Sequence, residues 1–229
     1  KQVYSLIVPR LGVPFQTINI YFVGPLIPSK RYHNIYILTV EDMLTKWVEA
    51  FPLKRATALE VANKLTTEIF PRHGYPEFVK SDRGSHFKNS TMQELARITG
   101  MKLIYSPSYH PQSNPVERAH GTIKNMIKAM VIDLSDDNDP SSWESHLPQA
   151  LFCYRTTRHS TTQQSPFEML FGYSPSTEAS LIFGPPPDRE DYEDHRSYAI
   201  AHRDRMNRAF RWANDNITAT IARRRRYHY

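Results

Sequence analysis

A mixed β-sheet covered by helices, an α/β fold, is what the sequence predicts, and three observations predict it. Three runs rich in Val, Ile, Tyr and Trp crowd the first quarter of the chain, ahead of any helical periodicity. Capped amphipathic stretches then alternate with two short apolar runs, the pattern of strands joined through helices. Finally, a proline run sets off a C-terminal stretch whose apolar residues fall three or four apart.

Taken in order, Thr17 to Gly24 (TINIYFVG), Asn34 to Val40 (NIYILTV) and Trp47 to Leu53 (WVEAFPL) read as strands. The connector PLIPSKRYH suits an antiparallel hairpin with a longish loop, which sets residues 39 to 41 across from Tyr21. Thr57 caps the helix ALEVANKLTTEIF with Glu60 at the capping-box spacing, and His73-Gly74 ends it. PEFVKSD is a short buried strand ending at Asp82. Ser90 can cap TMQELARITG, which closes on Gly100, and KLIYSPS is strand-like. Val116 to Leu134 reads as a long amphipathic helix, with shorter helical pieces at Trp143 to Tyr154 and Pro166 to Phe171. FGPPPDRED, Phe183 to Asp191, is a linker by its prolines. A last helix, about Tyr192 to Arg226, carries Met206, Phe210, Ala213, Ile217 and Ile221 on one stripe.

The chain is long enough, at 229 residues and 40% hydrophobic, to bury a substantial core. No run of eighteen apolar residues marks a membrane helix, and no signal-peptide pattern begins at Lys1, so a nuclear or cytoplasmic rather than secreted protein is expected. A single cysteine, Cys153, allows no internal disulfide and no zinc module built on two thiolates. Net charge is +6, but Arg223, Arg224, Arg225 and Arg226 are consecutive, and without them 25 basic residues face 23 acidic ones. That run suits a nucleic-acid or other acidic partner, or equally a solvated helix end complementing the helix dipole.

Chemistry concentrates in SDRGSHF (Ser81 to Phe87) and YHPQSNPVER (Tyr109 to Arg118). The first places an acid at a strand end before a glycine, which lets backbone approach a polyanion closely. The second places Glu117 on the first turn of a helix after a polar loop. Acids at such places can share divalent cations, as two-metal phosphoryl transfer requires. Each motif alone is an ordinary turn or helix start.

Together with FVGPL, TKWVEAFPL and SPFEMLFGYSP in order, these motifs resemble the catalytic core of an integrase from a gypsy-type LTR retrotransposon, a relative of retroviral integrases. The resemblance covers about Pro14 to Pro175, and the final helix with ARRRRYHY resembles the post-core helix. It implies an RNase H-like core over residues 14–182, a mixed five-stranded sheet flanked by helices. An N-terminal extension (1–13), a Pro-rich linker (183–191) and a long C-terminal helix with a basic end (192–229) complete the expected organisation. It further implies homodimers, DNA as partner, Mg²⁺ or Mn²⁺ as cofactor, and no small-molecule substrate or membrane. In the implied Asp-Asp-Glu triad the second and third members fall on Asp82 and Glu117, and Arg118 and Lys124 are implied DNA contacts.

The first member falls on Tyr21. A neutral phenol does not supply the bridging charge of a two-metal site, and its ring fills space meant for metal or phosphate. Two further departures follow Glu117, where His120 and Gly121 replace an expected asparagine and basic residue. Glu41, where the family has an apolar residue, is a candidate substitute acid. Three readings remain open: an inactive core kept as a dimerising or binding module, an active integrase with a compensated site, and nucleic-acid binding without catalysis.

Overall fold

The computed structural model describes residues 12–105, 125, 139–184 and 194–226. Three strands come first: β1 (Thr17–Val23), β2 (Tyr36–Asp42) and β3 (Val48–Leu53). Helix α1 (Ala58–Lys64) passes through a π-turn segment (Leu65–Ile69) into α2 (Phe70–His73), and β4 (Phe78–Ser81) follows. Next come α3 (Ser90–Thr99), β5 (Lys102–Tyr105), α4 (Trp143–Thr156), α5 (Pro166–Phe171), α6 (Glu178–Phe183) and α7 (His195–Arg226).

The five strands form one mixed sheet in the order β3-β2-β1-β4-β5. β1 pairs antiparallel with β2, which pairs antiparallel with β3, while β4 and β5 add in parallel. The expected hairpin is present, with Tyr21 opposite Thr39 and Asn19 opposite Glu41. Pro52 sits in β3, an edge strand, where its missing N–H interrupts no ladder on the open side. Gly24 closes β1 at φ 136°, and a Cβ there would lie 2.6 Å from the Ile35 carbonyl, so only glycine fits.

Because β1 is central, both its faces are buried, and alternation sorts its side chains into two cores. Ile18 and Ile20 face Val61, Leu65 and Ile69 of the first helical stretch and Met92 of α3. Tyr21 and Val23 face Trp143, Leu147, Leu151 and Tyr154 of α4. Leu44, in the β2–β3 turn, packs with Met169 and Ala213, which docks α7 on α5. Phe210 and Ala213, two of the five residues of the stripe read from the sequence, make this contact.

Several boundaries moved for local reasons. The side chain of Asn89, not Ser90, accepts from the Met92 amide, so Asn89 is the cap and Ser90 the first helical residue. The second strand starts at Tyr36 and runs to Asp42 instead of starting at Asn34. The π-turn coincides with Thr66 and Thr67, whose hydroxyls donate to the Ala62 and Asn63 carbonyls and compete with the helical ladder. Helix α6 was not expected. Its capping box of Thr177 and Ser180 is the signal that could have found it. The helix expected over 116–134 and most of the proline linker lie outside the described residues.

Glu49 ties both helical layers to the edge strand. Its Oε1 accepts from Trp47 Nε1 at 3.0 Å and contacts His73 Nε2 at 3.3 Å, while Oε2 accepts from Arg155 at 2.9 Å. Arg155 also donates to the Val48 carbonyl and lies 4.1 Å over the Trp47 ring. Burial alone would raise the Glu49 carboxyl, but the His73 and Trp47 hydrogen bonds and the Arg155 charge hold it at about 2. His159 moves the other way as a base: burial and the Lys46 charge lower it to about 4, with Glu41 offsetting part.

A two-stage acid destabilisation is expected. Between the ordinary 6.5 of histidine and about 4, the unfolded chain takes up a proton that folded His159 refuses, so stability falls. Between 4.5 and about 2, protonation costs the stability that ionised Glu49 contributes. Each stage is about 2 kcal/mol after solvent screening. Urea unfolding across this range should lose the first stage in His159→Gln and the second in Glu49→Gln.

Candidate active site

Asp82 follows the last residue of β4 and is exposed. Its Oδ1 accepts from the Gly84 amide at 2.7 Å, an Asx-type turn that fixes the carboxylate at the strand end. A Cβ on Gly84 would lie 2.9 Å from that Oδ1 and 2.6 Å from His86 Nε2, so glycine is what lets the loop fold back. His86 therefore stands beside Asp82, edge-on to Phe22 at 5.1 Å. This neighbour was not singled out from the sequence, although its place in SDRGSH, one loop turn after the acid, was the available signal.

The parallel register pairs Thr17 with Phe78 and Asn19 with Lys80; continued two residues, it sets Tyr21 level with Asp82. Tyr21 therefore stands on the strand beside β4, at the level of Asp82. Its ring is 2% exposed and packed under α4. Burial pushes the hydroxyl pKa far up and the Glu41 charge adds to this, against a smaller opposing contribution from Thr39. Tyr21 is a neutral phenol at any physiological pH, and hard Mg²⁺ takes carboxylate oxygen in preference.

Glu41 shares the Tyr21 face of the sheet. It is 3% exposed, and Lys46 Nζ lies 3.1 Å from its Oε1. β2 and β4 flank β1 on opposite sides, and Glu41 is level with Asn19 whereas Asp82 is level with Tyr21. Two strand spacings and two residues of rise separate their backbones by about 12 Å. The neighbouring Asp42 is structural. Its carboxylate accepts from the amides of Phe15 and Thr45 and from the Thr45 hydroxyl at 2.6 Å, holding the β2–β3 turn.

Among the described residues no group of three or more His, Cys, Asp or Glu could hold a metal ion. The described side chains, one exposed carboxylate level with one buried phenol, do not fit a two-metal pair. Glu117, Arg118, His120, Gly121 and Lys124 lie outside the described residues. Arg223, Arg224, Arg225 and Arg226 end α7 as expected, with helical backbone.

Residues 17–111 match the Integrase core domain family. The chain carries an integrase core domain. The chain is 37% identical over 166 residues to the Gag-Pol polyprotein of gibbon ape leukemia virus, covering 71% of this chain and 9% of that one. It is 29% identical over 167 residues to the Gypsy retrotransposon integrase-like protein 1 of Mus musculus, covering 73% of this chain and 31% of that one. The chain thus spans a small part of these relatives. The fold matches the catalytic core domain of BIV integrase at a TM-score of 0.52 and 22% identity, over 69% of this chain and 95% of that one. It matches the HTLV-2 integrase catalytic core domain in complex with magnesium at 0.53 and 18%, over 69% and 97%. The mixed five-stranded sheet flanked by helices is therefore the RNase H-like core, extended here by the long helix α7.

Proposed function

We propose that this integrase core has lost catalysis and acts as a dimerising module that holds protein or nucleic-acid partners. The observation that carries the reading is Tyr21, a neutral ring sealed under α4 at the level of Asp82, in place of a metal-bridging carboxylate. The core (14–182), the linker (183–191) and the C-terminal helix (192–229) then serve as a scaffold in the nucleus or cytoplasm. Among the described residues the two cores, the helix caps and the loop at Gly84 are well formed. A scaffold needs those features whether or not it reacts. One structural relative is the simian T-cell lymphotropic virus intasome in complex with PP2A regulatory subunit B56 gamma, which supports assembly with nucleic acid and protein as the retained role. Asp82 and Glu117 remain as ancestral positions, with weak metal affinity or none.

The unmodified chain should join no DNA 3′ ends in Mg²⁺ or Mn²⁺, and calorimetry with Mn²⁺ should give no saturable heat. Robust strand transfer overturns the reading.

A further inference from the structure

α7 does not lie flat on the core. Between it and the segment from Thr156 to Ser174 is an open cleft of about 830 Å³. It sits beside the contact of Leu44, Met169 and Ala213, near the start of β1, whereas Asp82 is level with Tyr21 further along that strand. Three guanidinium groups line it, those of Arg158, Arg205 and Arg208, against a single carboxylate, Glu168.

That carboxylate is already committed. Oε2 of Glu168 accepts from the Ser165 amide and hydroxyl at 3.0 and 2.9 Å, and Oε1 accepts from the Ser174 hydroxyl at 2.8 Å, forming the capping box of α5. Arg158 is held in place by its Nε, which donates to the Gln163 carbonyl. Neither Arg158 nor Arg208 is in a salt bridge among the described residues. Two aromatic rings complete the cleft, Trp212 at 41% and Tyr173 at 50% exposure. Both rings thus present exposed surface beside the guanidinium groups of Arg158 and Arg208.

We propose that this cleft holds a single-stranded nucleic-acid segment, with Arg158 and Arg208 on its phosphates and Trp212 and Tyr173 stacked on its bases. Guanidinium groups pair with phosphate oxygens bidentately, and exposed rings stack on unpaired bases of any sequence. A duplex, with its bases already stacked, would leave the two rings idle. An acidic peptide would use the arginines but not the rings. The inference rests on the reading of the chain as a binding module and gives that module a site. The strand-transfer assay tests the module reading, and the binding assay below tests the cleft independently of it.

The test uses the full chain with Arg223 to Arg226 changed to Ala, which removes the tail as a competing site. Fluorescence anisotropy with labelled oligothymidylate and oligouridylate of about 15 nucleotides measures affinity and its salt dependence. Saturable binding is expected. Arg158→Glu with Arg208→Glu should weaken it at least about tenfold and reduce the slope of log K against log salt by about 1.4. Trp212→Ala should weaken it about fivefold or more with the slope unchanged. Melting curves confirm that these exposed substitutions leave the fold in place. Absence of binding, equal binding by all variants, or full competition by polyglutamate overturns the proposal.

Discussion

Tyr21→Asp is expected to lower the unfolding free energy by about 4 kcal/mol and to leave strand transfer undetectable. The substitution looks like a repair, since it restores the residue type that the triad position calls for. The surroundings argue otherwise. The ring is 2% exposed and packs with Trp143, Leu147, Leu151 and Tyr154, so deleting it opens a cavity between β1 and α4. The new carboxylate would stand on the face that already buries Glu41, adding a like charge to a water-poor layer. Tyr21→Phe separates the two contributions. It keeps the ring and gives up only what the hydroxyl makes, about 1 kcal/mol. Urea unfolding of the three proteins, with Mn²⁺ calorimetry on each, checks the pair of expectations. A Tyr21→Asp protein as stable as its parent and able to bind Mn²⁺ would show that α4 yields readily, and that this position is open toward Asp82.

The sheet was legible in the sequence because its determinants are local. Gly24, Gly74 and Gly100 each stop an element at a positive φ, and Thr57 caps where its spacing to Glu60 indicated. The cap expected at Ser90 was off by one residue for a local reason too, since both Asn89 and Ser90 carry side chains that can accept from the first turn and only the backbone decides between them. What could not be read was burial that depends on distant contacts. Alternation told that Tyr21 and Val23 share a face, but not that Trp143 and Tyr154, more than a hundred residues later, would close over it. The burial of Glu41 was hidden for the same reason, since its counter-charge Lys46 is placed only by the turn after β2. Asp82 was legible as a strand-end acid, whereas its neighbour His86 depends on how the loop folds back at Gly84. The cleft under α7 was invisible, because Arg158 and Arg208 come from opposite sides of a proline linker.

Lys46→Met is the second substitution with a large expected effect, a loss of about 3 kcal/mol. Lys46 takes a left-handed conformation, φ 65°, at the turn between β2 and β3, and this brings its ammonium 3.1 Å from the Glu41 carboxylate. The side chains are 13% and 4% exposed, so the pair is nearly dry. Removing the cation leaves an ionised carboxylate beside Tyr21 and Tyr154 with little water to solvate it, which is the costly way to break a buried pair. Methionine keeps the stem and the same backbone strain, so the charge is the principal change. Glu41→Gln alone should cost less, and the double variant should lie within about 1 kcal/mol of the parent, a coupling of about 2 kcal/mol or more in a double-mutant cycle. The same cycle bears on catalysis. If Glu41 were held in reserve as a metal ligand, Lys46→Met would free it and raise Mn²⁺ affinity. No gain is expected, because Glu41 and Asp82 stand on opposite flanks of β1 and two residues apart along it. A coupled pair without a metal response identifies Glu41 and Lys46 as a clamp on the hairpin; additive losses with tighter Mn²⁺ binding would instead return the site to the active integrases.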